Sequence, residues 1–240
     1  GLAAGFDYEA RLTQILSCIG FGFGTVGTIT NLPYGGNPRP MLGRLPKSKS
    51  LMVNKGFKNE GAIAVTDKLK KLNFPYPVGI SIGRTNTLTL KTQKQSIADI
   101  VSAFQLFEQS NIHNAYYELN ISCPNLFGNI TFYLPKNLRE LLLEIQKLKL
   151  SKPLFIKMPI EKTNAEVLKM LEVIIKFPVA GVIIGNLQKN RKDPALHQDE
   201  VAKFPKGNFS GKPCWNRSNE LIRLTYKRYG KNLIIIGCGG

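Results

Sequence analysis

Residues 153–186 read PLFIKMPIEKTNAEVLKMLEVIIKFPVAGVIIGN, with two short apolar runs on either side of a longer segment of helical period. The runs PLFIKM and GVIIGN are apolar almost throughout, as is typical of parallel strands that helices cover on both faces. Ala165–Lys176 between them has the apolar spacing of a helix with one buried face. The stretch therefore predicts a strand, a helix and a second, parallel strand.

The same alternation continues in both directions along the 240 residues. Predicted strands end near Asp7, Thr28, Ile82, Ile121, Met158, Asn186 and Cys238, and predicted helices cover Glu9–Ile19, Glu60–Leu72, Ser96–Ser110, Leu138–Leu148, Ala165–Lys176 and Ser218–Tyr229. Polar or glycine residues end nearly every strand, which favours a TIM barrel over a doubly wound sheet. We predict an α/β fold, an incomplete (β/α)8 TIM barrel of about seven strands. It occupies residues 1–240 as one partial catalytic domain, and we expect both ends of the parent protein to be missing.

The chain is basic, with 33 Lys and Arg against 16 Asp and Glu and a net charge of +17. Such a charge raises nucleic acid or an anionic membrane as partners. The basic residues are spread along the chain without the interleaved aromatics that stack bases, so nucleic acid is not an expected partner. No apolar run approaches the roughly 18 residues that span a bilayer. The four cysteines form no CxxC pair, which disfavours structural zinc and a disulfide scaffold and favours a reducing cytoplasm.

Two features at strand ends carry candidate chemistry. Cys123 lies just past a buried strand, between Asn120 and Asn125, and the following proline indicates an irregular turn. A base or nucleophile at the barrel mouth and an inert thiol at a polar strand end both explain that motif. Lys157 lies at the end of the apolar strand FIKM, where it either reaches to solvent or provides a fixed positive charge facing an anionic cofactor.

Glycine-rich turns follow the late strands, at Gly207–Gly211 and Gly237–Gly240. Exposed backbone N–H groups near the late strands of a barrel often bind phosphate, although ordinary turn chemistry explains each motif alone. No GxGxxG fingerprint and no Walker motif is present in the sequence. Two long loops, Asn31–Lys55 and Leu187–Asn216, are candidates for functional segments because loops of that length are commonly functional.

Taken together, nine segments resemble the dihydroorotate dehydrogenase family of FMN-dependent TIM barrels. They are GLAAGFD (1–7), GFGTVGTIT (22–30), GNPRPMLGRLP (36–46), NKGFKN (54–59), ELNISCPN (118–125), FIKMP (155–159), GVIIGN (181–186), NFSGKP (208–213) and IIIGCGG (234–240). They occur in the family's order across essentially the whole chain. The resemblance implies an oxidoreductase that converts dihydroorotate to orotate in de novo pyrimidine (UMP) biosynthesis.

The resemblance also implies residue roles. FMN would contact Ala4, Thr28, Ser81, Asn120, Lys157, Gly185, Gly211 and Gly239, and the substrate would be hydrogen-bonded by Asn54, Asn120, Asn125 and Asn186. Cys123 would take the C5 proton of dihydroorotate while C6 delivers hydride to flavin N5. Lys157 would stabilise the charge that develops on the reduced flavin.

The sequence departs from the family's pattern at several positions. Tyr8 stands where the family has a lysine that meets substrate, and the loop after Asn54 is one residue short. Lys55 or Arg84 would then supply the positive charge for the substrate carboxylate. The loop GNPRPMLGRLP resembles the membrane-associated, quinone-reducing class, whereas Cys123 resembles the soluble class. We expect a quinone acceptor, a protein on the cytoplasmic side that is soluble or peripherally attached to a membrane, and a possible homodimer.

Two alternatives remain open from the sequence. Another FMN barrel with a catalytic cysteine, such as a tRNA dihydrouridine synthase, would suit the net charge. A non-catalytic basic barrel scaffold would explain Tyr8 as the loss of a substrate contact. Stoichiometric bound FMN that dihydroorotate reduces would favour the dihydroorotate dehydrogenase interpretation. Salt-dependent RNA binding would favour either alternative.

Overall fold

A computed structural model describes residues 1–122 and 130–239 of the chain. The strands are β1 (Leu2–Asp7), β2 (Gly24–Ile29), β3 (Leu42–Leu45), β4 (Ser50–Val53), β5 (Val78–Ile82), β6 (Tyr116–Asn120), β7 (Leu154–Met158), β8 (Gly181–Ile184), β9 (Asn208–Phe209) and β10 (Ile234–Gly237). The helices are α1 (Ala62–Leu69), α2 (Gln93–Glu108), α3 (Pro135–Lys147), α4 (Asn164–Ile174), α5 (Gln198–Val201) and α6 (Lys212–Tyr229).

Seven of these strands form one parallel sheet in the order β1-β2-β5-β6-β7-β8-β10. Each neighbouring pair is joined through a segment that runs back over the sheet, as a (β/α) barrel requires. The predicted incomplete TIM barrel with about seven strands is confirmed. Because all seven strands run the same way, their carboxyl ends gather at one edge of the sheet.

The central strands are buried on both faces, as their apolar runs predict. Every residue of β2, β5, β6, β7 and β8 is buried. The predicted apolar face of α2 is confirmed, since Ile97, Ile100, Phe104 and Phe107 are all buried. Helix α4 begins at a capping box, in which the Thr163 hydroxyl accepts from the N–H of Glu166 and the Glu166 carboxylate accepts from the N–H of Thr163. Helix α4 therefore begins at a local signal, and α2 buries the face that its apolar spacing predicts.

One predicted helix is wrong. The segment Glu9–Ile19 forms turns, with its apolar side chains Ile15 and Ile19 more than half exposed. The Asp7 carboxylate accepts hydrogen bonds from the backbone N–H of Arg11, at 2.7 Å, and from the Thr13 hydroxyl, at 2.8 Å. Such local side-chain acceptors compete with helical hydrogen bonding. The helical spacing of the apolar residues here does not correspond to a buried helix face.

The two long loops contain a small second sheet that the sequence did not predict. β3 and β4 form an antiparallel hairpin in the first loop, and β9 of the second loop pairs with β4. Leu45, Met52 and Phe209 are fully buried in the core of this sheet. The carboxylate of Glu200 on α5 accepts from the backbone N–H groups of Lys47 and Ser48 and from the Ser48 hydroxyl, at 2.7–3.0 Å. The hairpin is thereby tied to the second loop.

Candidate active site

A cavity of about 1010 Å³ is lined by residues at the carboxyl ends of the parallel strands, such as Asn120 and Lys157, and by residues nearer the strand starts, such as Leu2 and Tyr116. The β3–β4 hairpin contributes Leu42, Leu51 and Val53 to its wall, and the segment after β4 contributes Lys55 to Lys58. The small sheet therefore lies against the strand ends and makes the cavity deeper than the strand ends alone would.

Most of the predicted site residues line this one cavity. They are Ala4, Thr28, Asn120, Lys157, Gly185, Asn186, Gly211 and Gly239. Cys123 and Asn125 lie outside the described residues. Ser81 and Asn54 are described but are not among the residues of the cavity wall. The shared location is an observation, whereas the individual roles stay predictions.

A directed chain of hydrogen bonds lies under the cavity between β6, β2 and β5. The Ser81 hydroxyl donates to the Glu118 carboxylate at 2.6 Å, so the Thr28 hydroxyl, 2.9 Å away, donates to Ser81. The Asn120 amide in turn donates to the Thr28 hydroxyl at 2.8 Å. Each hydroxyl has one proton, so the acceptor at one end of the chain orients every donor. Ser81 therefore supports Thr28 and Asn120 from beneath the wall.

The oxygen of the Asn120 amide is also held by hydrogen bonds. Its oxygen accepts from the backbone N–H of Ser122 at 3.2 Å and from the Ser122 hydroxyl at 3.0 Å. The Asn186 amide donates to that hydroxyl at 2.5 Å. The two asparagines, which end β6 and follow β8, are therefore linked across the intervening strand β7. Their amide orientations are set by the protein before any ligand binds.

Lys157 belongs to β7 and is directly opposite Asn120 in the strand register. It is only 5% exposed, although it is a charged residue in an otherwise apolar strand. Since it lines the cavity, the structure places a positive charge in the wall between the two linked asparagines.

Glycines form part of the wall where the backbone approaches the cavity. Gly5 has φ of 108°, and a Cβ built there meets no atom within 4 Å. A Cβ at Gly239, where φ is 87°, first meets the Cys214 side chain at 3.6 Å. Both glycines line the cavity, and a side chain at either would have room but would be held in a strained backbone conformation. Gly211, with φ of 77°, begins α6 against the carbonyl of Lys49, so a side chain there would collide with the hairpin.

Asn54 lies in a cluster of buried amides next to the cavity. Its oxygen accepts from the Asn37 amide at 3.1 Å, and its own amide donates to the Pro38 carbonyl at 3.2 Å. Asn86 reaches the same cluster, donating to Asn37 and to the Gly56 carbonyl. These bonds support the segment that carries Lys55 and its neighbours into the wall. A direct contact between Asn54 and substrate stays a prediction.

Sequence reasoning missed two of the residues on β6 that line the cavity, Tyr116 and Glu118. Tyr116, Glu118 and Asn120 alternate along β6, and all three line the cavity. The Tyr116 hydroxyl shares a 2.8 Å hydrogen bond with Thr25, and burial raises the pKa of Tyr116 to about 12. The period of two in YYELN was a signal that could have identified Glu118 and Tyr116. No comparable signal marks the hairpin residues, because their place depends on long-range pairing.

A model of the dihydroorotate dehydrogenase family matches residues 1–240. The chain belongs to that family. This match excludes the alternative that the chain belongs to the tRNA dihydrouridine synthase family. It also agrees with the parallel barrel and with the candidate site at the strand ends.

The individual relatives agree with this assignment. The chain is 32% identical over 240 residues to a dihydroorotate dehydrogenase (quinone) of Mycolicibacterium smegmatis, covering all of this chain and 65% of that protein. It is 34% identical over 256 residues to one of Chloroflexus aurantiacus, covering 67% of it. A crystal structure of DHODH from Eimeria tenella in complex with ferulenol superposes with a TM-score of 0.87 at 25% identity, over all of this chain and 69% of that one. The chain thus spans less than two thirds of the length of the M. smegmatis relative.

No helix in the described part of the chain is both long enough and apolar enough to cross a membrane.

Proposed function

We propose that the protein oxidises dihydroorotate to orotate in pyrimidine biosynthesis, with FMN as its redox cofactor. The observation that carries this proposal is the cavity at the strand ends. There Thr28, Asn120, Lys157 and Asn186 line one space whose wall includes glycines. Membership of the dihydroorotate dehydrogenase family supports the same reaction.

The residues present fit FMN. A planar ring system needs small residues where the backbone approaches it, and Ala4 and Gly5 provide them at the end of β1. Gly239, just past the opposite edge strand β10, leaves the backbone open to a phosphate. The start of α6 at Gly211 also lines the cavity, where a helix N-terminus would favour an anion. Lys157 places a buried positive charge on the wall, which would stabilise negative charge on a reduced cofactor. When bound, FMN would supply the acceptor for two electrons that no side chain supplies.

The asparagines would orient the substrate. Asn120 and Asn186 are linked through Ser122, and each retains amide hydrogen-bonding capacity beyond the bonds described. Amides suit a pyrimidine ring, which presents alternating carbonyl and N–H groups. We propose that Asn54 and Asn125 complete this set. Cys123 would remove the proton at C5, a role that its motif supports and that needs a thiolate.

The electron acceptor would be a quinone, as the names of the M. smegmatis and C. aurantiacus relatives suggest. A quinone is dissolved in a membrane, so the reaction would take place where the protein meets the membrane surface. This is compatible with peripheral attachment on the cytoplasmic side. Pairing into a homodimer stays an expectation from the sequence.

The test is anaerobic reduction of the purified, FMN-loaded protein by dihydroorotate, followed by the visible absorbance of the flavin. We expect rapid bleaching in the wild type and slow bleaching in Cys123→Ala. Cys18→Ala is the matched control, because Cys18 is an exposed thiol away from the strand ends and should bleach at the wild-type rate. Bound flavin that dihydroorotate does not bleach would contradict dihydroorotate as the substrate. Failure to bind flavin would contradict FMN as the cofactor and favour a non-catalytic barrel.

A further inference from the structure

Three side chains form a cationic corner of the cavity beside the end of β1. Tyr8, Lys55 and Lys58 all line the wall there. The Lys55 ammonium lies 4.3 Å from the centre of the Tyr8 ring, and the Lys58 ammonium lies 5.3 Å from it. Both distances are within the range of a cation–π interaction. One aromatic ring thus holds two positive charges next to the cavity.

The two lysines differ in how their charge is balanced. Lys58 lies 3.5 Å from the buried carboxylate of Glu9, which also pairs with Arg11 at 3.0 Å. Lys55 contacts the Tyr8 ring and donates a long bond of 3.4 Å to the Gly5 carbonyl. Among the described residues, no carboxylate lies within ion-pair distance of Lys55.

The environment of Lys55 favours a negative partner. Burial lowers the pKa of Lys55, and the charge of Lys58 lowers it further, while Glu9 opposes the change. A half-buried ammonium that has lost part of its water gains from any anion that restores the balance of charge. Gly5, whose carbonyl it contacts, has no side chain to fill the space beside it.

Other cations near the cavity are placed differently. Arg84 is 2% exposed and is not part of the cavity wall, and the charge of Asp99 acts on it. Arg44 and Lys49 line the cavity but are exposed, so their charge is shared with solvent. Lys157 is held within the sheet opposite Asn120. Lys55 is the half-buried cation at the β1 end of the wall.

We infer that Lys55 binds the carboxylate of the substrate and that Tyr8 positions Lys55 for this contact. The inference rests on the proposed function, in which both substrate and product are carboxylates. Tyr8 does not touch the substrate in this scheme; its ring restrains the long lysine side chain. The pair would make the site specific for an anionic pyrimidine over an uncharged one.

The experiment measures binding of two probes to the FMN-loaded protein by calorimetry: orotate and its neutral carboxamide. We expect Lys55→Met to weaken orotate binding about 10- to 100-fold, as loss of a hydrogen bond to a charged group does. The carboxamide should bind both proteins within about threefold. General damage to the site would weaken both probes alike, so equal losses would overturn the inference, as would unchanged orotate binding.

Two further variants separate the partners. Lys58→Met should weaken orotate binding less than Lys55→Met; an equal loss would mean that the summed charge, not Lys55, binds the anion. Tyr8→Phe keeps the ring and should preserve orotate affinity, whereas Tyr8→Leu should weaken it about three- to fivefold. Steady-state assays should show these effects in KM with kcat little changed. Equal behaviour of the two Tyr8 variants would overturn the positioning role.

Failure of the proposed function can be distinguished from failure of the Lys55 inference. If dihydroorotate does not bleach the wild-type flavin, the reaction is wrong whatever the lysine variants do. If the wild type is bleached and Lys55→Met binds orotate like wild type, only the present inference is overturned.

Discussion

Removing the Ser81 hydroxyl should destabilise the protein by breaking two buried hydrogen bonds at once. Ser81 is fully buried and Glu118 is 1% exposed, so water cannot replace the missing donor. Ser81→Ala leaves the Glu118 carboxylate without its 2.6 Å donor and the Thr28 hydroxyl without its acceptor. A buried hydrogen bond to a charged group contributes about 1.5–3 kcal/mol. We therefore expect the free energy of unfolding to fall by about 2–3 kcal/mol.

The assay is urea unfolding followed by circular dichroism, with a thermal melt beside it. For a chain of this size, the expected loss corresponds to a fall in Tm of about 4–12 °C. Ser102→Ala is the matched control, because Ser102 is exposed on α2 and alanine suits a helix at least as well. A loss below about 0.5 kcal/mol for Ser81→Ala, the range of an ordinary surface substitution, would refute the hydrogen-bond chain as described.

Three other predictions follow from the site and the small sheet. Burial raises the pKa of Cys214 to about 11. At pH 8, iodoacetamide should therefore modify the exposed Cys18 about 100-fold faster than Cys214, measured by peptide mass spectrometry. Comparable rates for the two cysteines would contradict the burial of the Cys214 thiol. Burial alone would raise the pKa of Glu200, but hydrogen bonds from Ser48 and the backbone hold it below 4.5. The stabilisation by the Glu200 carboxylate is thus complete above pH 4.5 and is lost as pH falls through the lowered pKa. Glu200→Gln should therefore show a smaller fall in Tm below pH 4.5 than the wild type. Parallel curves of Tm against pH for the two proteins would contradict this. Ala4→Phe places a ring in the cavity and should reduce flavin bound per chain, measured by absorbance after gel filtration, without lowering the Tm of the flavin-free protein; full flavin content would argue against this part of the wall as its site.

Local signals were sufficient for the seven strands of the parallel sheet and for most helices. β7, α4 and β8 follow the runs of 153–186 because apolar spacing reflects burial of each element by itself. The strand-end residues Thr28, Asn120 and Lys157 could be expected at one cavity for the same reason, since parallel strands bring their carboxyl ends together. The family motifs then supplied roles that spacing alone could not.

Contacts between distant segments were beyond the reach of the sequence. The helix expected at Glu9–Ile19 is a separate case with a local cause, since the Asp7 carboxylate holds turns through bonds to the nearby Arg11 and Thr13. β9 pairs with β4 from more than 150 residues away, and this pairing joins the second loop to the hairpin that forms part of the cavity wall.

The sequence by itself determined the seven parallel strands and the edge of the sheet at which the site lies. Only the tertiary structure separates Lys55, which lines the cavity, from Arg84, which is not part of its wall. Burial beside Asp99 and contact with the Tyr8 ring leave no periodic mark in the sequence. It also set the direction of the hydrogen-bond chain from Asn120 to Glu118. Apolar periodicity is a property of one element, whereas the orientation of a hydroxyl or an ammonium depends on partners that folding brings from elsewhere in the chain.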